Sequence, residues 1–177
     1  MKTIKIGSTE VILQNYEINQ GKIIVSDLYN GSYSFYWGSM SGTLEEFLKS
    51  INSDYFAGKL CNEQYVFSGK NTAKSIRRHI KDNMRYELPW YKYMPAQKEL
   101  REAIKELERC ESEHDAIYQI ERFKDILVLG MNSQEDKEFQ EIMEAHFNCE
   151  PWHFLETEPS PSYKFLVKLH KELKKQL

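Results

Sequence analysis

Lys22-Ile-Ile-Val-Ser-Asp-Leu-Tyr-Asn-Gly-Ser-Tyr-Ser-Phe-Tyr-Trp37 decides the fold class of this 177-residue chain. Ile, Val, Tyr and Phe crowd Lys22 to Asp27 and Ser32 to Trp37, with Asn30-Gly31 between them. Both turn residues tolerate the positive φ of a two-residue type I′ turn, so the stretch predicts an antiparallel hairpin. Toward the N-terminus, Ile4 to Ile6 and Val11 to Tyr16 repeat the same composition, separated by Gly7-Ser8 and Asn19-Gln20-Gly21. Connections this short force neighbouring strands to run antiparallel, and a four-stranded meander is expected.

Toward the C-terminus the apolar period changes from two to helical spacing. Thr43-Leu-Glu-Glu46 has the form of a capping box and opens a helix carrying Phe47, Leu48 and Ile51. Ser53-Asp54 starts a short second one with Tyr55, Phe56 and Leu60, and Tyr65-Val-Phe67 is a candidate fifth strand. Asn71 or Thr72 is expected to cap a helix running to about Tyr86. Pro95 suits the first helical position of the next, which continues to Cys110. Ser112 opens a helix expected to stop near Gly130, and Ser133 caps another with Phe139, Ile142, Met143 and His146 in register. Leu166, Leu169, Leu173 and Leu177 form the stripe of a last helix. Strands first and helices afterwards make an α+β pattern. One domain over 1–177 is expected: a strand-rich part at 1–69, a basic helix and aromatic connector at 70–94, and a helical part at 95–177 that brings the helices to about five or six.

Charge is distributed very unevenly. The net charge is −3, yet residues 70–92 hold seven Lys and Arg against two acids, and 99–158 hold six against seventeen. On a helical wheel, Lys74, Arg78, Lys81 and Arg85 fall in one narrow arc, opposite Ala73, Ile76, Ile80 and Met84. Trp90, Tyr91 and Lys92 follow at once, and cations beside stacking platforms are the two components of a single-stranded nucleic-acid site. The same four cations would also serve as a plain polar face set against acidic helices of the chain, or as a dock for an acidic protein. The acidic block offers the mirror case. Glu99, Glu102, Glu106, Glu135, Asp136 and Glu138 could form a carboxylate face that occupies a groove built for phosphates, or simply a solvated surface.

Signals for chemistry are sparse. His146, Cys149 and His153 are metal-ligand types at short spacing, but a structural zinc site wants four protein ligands and no fourth is supplied. Cys61, Cys110 and Cys149 lie beside acidic or amide residues, which do not activate a thiol. Neither a nucleophile elbow nor a dinucleotide fingerprint occurs, and Ser68-Gly-Lys-Asn-Thr72 lacks the upstream glycine of a phosphate loop. The reading is therefore a non-enzymatic protein with no metal or other cofactor, and a small hydrolase or nuclease stands as the remaining class. The three separated cysteines, the absence of an apolar run after Met1 to Ile6, and an apolar stretch at Ile126 to Met131 far below the ~20 residues of a membrane span point to a cytoplasmic protein without membrane partners. The lysines of the last helix fit the negative end of its dipole. A meander in simple order leaves two strand edges unpaired, which keeps a homodimer open.

Tyr33-Ser-Phe-Tyr-Trp-Gly-Ser-Met40, Leu44-Glu-Glu-Phe-Leu48 and Ile51-Asn-Ser-Asp-Tyr-Phe-Ala-Gly-Lys-Leu60 resemble the small uncharacterised proteins of bacteriophages, prophages and mobile elements. The resemblance carries no site residue. It implies a binding protein of the kind that inhibits host defence, anti-CRISPR proteins included, whose partner would be a defence protein or ribonucleoprotein complex. The alternative is an accessory protein that binds DNA or RNA through the basic helix and its neighbouring aromatics.

Overall fold

The computed structural model describes residues 1–87, 94–126, 133–147 and 150–177. Strands Lys2–Ile6 (β1), Thr9–Asn15 (β2), Gly21–Asp27 (β3) and Gly31–Trp37 (β4) form an antiparallel sheet in the order β1-β2-β3-β4. The meander and the α+β class are as the sequence indicates. Register pairs Ile4 with Val11, Val11 with Val25, and Val25 with Tyr33. Alternation therefore sends Val11, Leu13, Ile23 and Val25 to one face, where all are fully buried.

The β3–β4 turn differs from the type I′ expectation. Asp27 pairs with Gly31, leaving Leu28, Tyr29 and Asn30 as the loop, and the left-handed residue is Gly31 at φ 82° rather than Asn30. The cause is Asp27. Its carboxylate accepts from the backbone N–H of Tyr29 at 3.0 Å and of Asn30 at 2.8 Å, and from Asn30 Nδ2 at 2.7 Å. The hydroxyls of Ser8 and Thr9 also donate to it, at 3.0 and 2.7 Å. These bonds favour the ionised form and hold the Asp27 carboxyl far below the ordinary carboxylate range, with the Thr9 bond the largest contribution.

Two units follow from the contacts. The first comprises Met1–Val66 and Pro159–Leu177. Its sheet is covered by helices Leu44–Ser50 (α1), Ser53–Leu60 (α2) and, in the helix numbering below, Pro161–Gln176 (α7). Thr43 closes the expected capping box with Glu46. Leu48, Phe56, Leu166, Leu169 and Leu173 complete this core. Burying side chains of this size contributes roughly 1.5–3 kcal/mol each relative to exposure.

The second unit, Phe67–Glu158, is built from Gly69–Asn83 (α3), Met94–Glu108 (α4), Glu113–Glu121 (α5) and Ser133–Phe147 (α6). Ile76, Met84, Leu107, Ile120, Phe123, Phe139 and Met143 are fully buried in it. Tyr65–Phe67 (β5) and Thr157–Pro159 (β6) form a separate two-stranded sheet. Helix α3 begins earlier than Asn71 or Thr72, because Ser68 supplies the cap by accepting from Asn71 N–H at 3.3 Å. Thr72 is instead buried, and its hydroxyl accepts from the Glu156 N–H at 3.0 Å. Helix α5 ends at Glu121, where the ladder tightens into 3₁₀ geometry over Arg122–Asp125. Among the described residues no helix is long and apolar enough to cross a membrane.

Candidate polyanion-binding groove

Helix α3 buries Ala73 and Ile76 and half-buries Ile80, with its C-cap Met84 also buried, which leaves its opposite side to charge. Lys74, Arg78, Lys81 and Arg85 are all exposed, as the wheel requires. Gly69 is what lets the start of α3 meet the end of α4. A Cβ there would lie 2.6 Å from the carbonyl oxygens of both Leu107 and Cys110.

At the other end of this helix pair lies a groove of about 910 Å³. Its floor is Ile80, Met84, Leu100 and Ile104. Its rim carries Arg77, Lys81 and Arg85 from one side and Lys98, Arg101 and Lys105 from the other, against one lining carboxylate among the described residues, Glu102. Lys105 pairs with Glu102 at 2.6 Å, and Arg77 pairs with Glu108, holding both carboxyls below their ordinary range through the hydrogen bond each accepts. Lys81, Arg85, Lys98 and Arg101 have no ion-pair partner among the described residues. The Arg85 guanidinium lies 6.0 Å from the ring centre of Tyr86.

The predicted basic quartet is therefore divided. Lys81 and Arg85 line the groove, whereas Arg78 lines a smaller hollow with Ser75, His79, Asp82, Asn83, His153 and Phe154. Lys74 lines neither, and Arg85 stands two residues past the end of α3. Trp90, Tyr91 and Lys92 lie outside the described residues. Sequence reasoning missed Arg77, Lys98, Arg101 and Lys105. Spacing held the signal, because 98, 101 and 105 recur at i, i+3 and i+7 on one flank of α4, but Arg101 and Lys105 are averaged into an acidic block that Lys98 precedes.

The candidate acidic residues lie on two helices. Glu99, Glu102 and Glu106 are exposed on α4, where Glu106 holds Arg109 at 2.7 Å. Glu135, Asp136 and Glu138 on α6 are half-buried rather than displayed, and Glu138 accepts from Gln134 at 3.2 Å. His146 lies 3.3 Å from the Glu87 carboxylate with its ring 5.4 Å from that of His79, whose basicity is lowered by burial and then by His146. Cys149, of the zinc-like trio, lies outside the described residues. Burial, with help from Asp115 and Glu106, pushes the Cys110 thiol up, which keeps it protonated near neutrality.

No curated protein and no solved structure matches the chain at a significant level. A family model described as a phage family, Phage_phiTE_072, matches residues 2–177, and the chain belongs to that phage family.

Proposed function

We propose that this phage protein is a non-enzymatic binding protein that captures a nucleic-acid strand in the α3–α4 groove. The supporting observation is the convergence of six cations from two sides onto one groove beside one carboxylate, with four of the six unpaired among the described residues. Such clustering has a cost. Arg77 with Lys81, and Arg101 with Lys105, are like-charge neighbours four apart on a helix, each arrangement destabilising by ~0.2–0.5 kcal/mol. Only Arg77 and Lys105 offset that repulsion through ion pairs, with Glu108 and Glu102, whereas a polyanion would reverse its sign for the others. Phosphates would lie along the two cationic rims, and half-buried Ile80 on the floor offers apolar surface to a base. The test is fluorescence anisotropy with single-stranded DNA and RNA oligonucleotides, comparing the native chain with a variant in which Lys81, Arg85, Lys98 and Arg101 are Ala. Loss of binding in the variant supports the reading, and equal binding sinks it.

A second reading, inhibition of a host defence complex in the manner of anti-CRISPR proteins, draws support from membership of a phage family. In it the protein seizes the guide or target strand of that complex, or sets the exposed carboxylates of α4 into a basic channel. Affinity capture from bacterial lysate with and without nuclease separates the two. A protein partner that survives nuclease favours the inhibitor, and loss of every partner returns the account to strand capture.

A further inference from the structure

We infer that the unpaired edge of β4 is a self-association surface, where β4 of a second copy of this chain pairs antiparallel about a two-fold axis through Ser34. The order β1-β2-β3-β4 makes β1 and β4 the outer strands, and the two edges are unlike. Strand β1 carries Lys2 and Lys5, both exposed, and lysine is the residue by which sheet edges are commonly kept from pairing. Strand β4 carries no charged residue of its own, the Lys59 ammonium of α2 lying over its Phe35 ring at 5.6 Å. From Leu28 through Thr43 the sequence contains no charged residue and no proline. Among the described residues, no hydrogen bond from outside the sheet reaches the backbone of Gly31–Trp37. A trough of about 470 Å³ is lined by Ser32, Tyr33 and Ser34 of β4 and by Cys61 to Glu63.

The sequence of β4 is complementary to itself in this register. With Ser34 opposite the partner's Ser34, Tyr33 meets the partner's Phe35 and Ser32 meets the partner's Tyr36. Inward-facing residues then oppose inward-facing ones along all seven positions, as strand alternation demands. A second copy in this register sets the apolar inner row against its like and the hydroxyl-bearing outer row against its like.

Sedimentation velocity of the full chain, taken up to ~100 μM because an edge this short buries less than the ~1,200 Å² of a standard interface, tests the proposal. The expected result is a doubling of the 21.0 kDa mass as concentration rises. Ser34→Lys and Ser34→Glu should each remain monomeric, and their equimolar mixture should recover the dimer. Lys5→Glu on the other edge should leave it intact. A native chain that stays monomeric throughout, or serine variants that dimerise as the native chain does, overturns the proposal. Hydrogen exchange on the native chain needs no variant to fold. Protection of β4 amides that rises with concentration supports the pairing, and protection independent of concentration overturns it.

Discussion

Protonating His170 should destabilise the first unit, and acid titration of stability reads that effect. The imidazole is fully buried on α7 and stacks on Phe56 with ring centres 4.4 Å apart. Nε2 lies 2.9 Å from the Leu48 carbonyl and Nδ1 lies 3.1 Å from the Ser53 hydroxyl, so the neutral ring donates to the carbonyl and accepts from the hydroxyl. Burial lowers its pKa from 6.5 to about 4, the Leu48 carbonyl opposing and the Lys174 ammonium reinforcing the shift. The folded pKa is below the unfolded one, so between those values the unfolded chain binds the extra proton. Stability from this group is therefore complete above about pH 6.5 and is lost progressively as pH falls toward 4. A shift of this size corresponds to roughly 3 kcal/mol as an upper bound. Urea denaturation of the native chain and of His170→Gln, which can still donate to Leu48, should give curves that diverge between pH 7 and 4.5. The native midpoint falls further. Parallel loss in both proteins would refute the assignment of this titration to His170.

Other perturbations test other parts of the fold. Gly69→Ala forces a methyl against two backbone carbonyls that cannot rotate away and should destabilise the second unit by about 1–3 kcal/mol in thermal or urea unfolding. Gly58→Ala meets the flexible end of Gln64 at 3.3 Å and sits inside α2, so it should be neutral or stabilise by up to ~1 kcal/mol. Asp27→Ala should lower the urea midpoint and loosen the β3–β4 turn. Its contribution in the native chain is present above the ordinary carboxylate range and is lost as pH falls toward strong acid, so native and variant proteins should converge at low pH. Ser112→Ala removes the hydroxyl that caps α5 and should cost about 1 kcal/mol.

The meander was legible because Val11, Leu13, Ile23 and Val25 alternate strictly, and alternation is what a half-buried sheet imposes on a sequence. The capping box at Thr43 was legible because both of its partners are local. The β3–β4 turn was misread because Asn-Gly propensity is weaker than a carboxylate that gathers two backbone donors and three side-chain donors from around it. Helix α3 starts earlier than local sequence suggests because Ser68, Asn71 and Thr72 are all competent caps, and Ser68 takes the role while the Glu156 N–H engages Thr72. Apolar face and charged face of α3 were both readable from the wheel, yet the groove was not. It needs Lys98, Arg101 and Lys105 brought across from α4, and that pairing depends on the close approach allowed at Gly69. The phage character read from residues 33–60 agrees with the family that spans residues 2–177.

Strand capture is tested most directly by the salt dependence of oligonucleotide affinity. Four rim cations without an ion-pair partner among the described residues, each displacing about 0.7 of a counterion from a single strand, predict a log–log slope near −3 between ~50 and ~200 mM salt. Replacing Lys98 and Arg101 together should bring that slope to about −1.4 while weakening binding at every salt concentration. A slope near zero, or one unchanged when those two residues are removed, would contradict the assignment of the groove to a nucleic-acid strand.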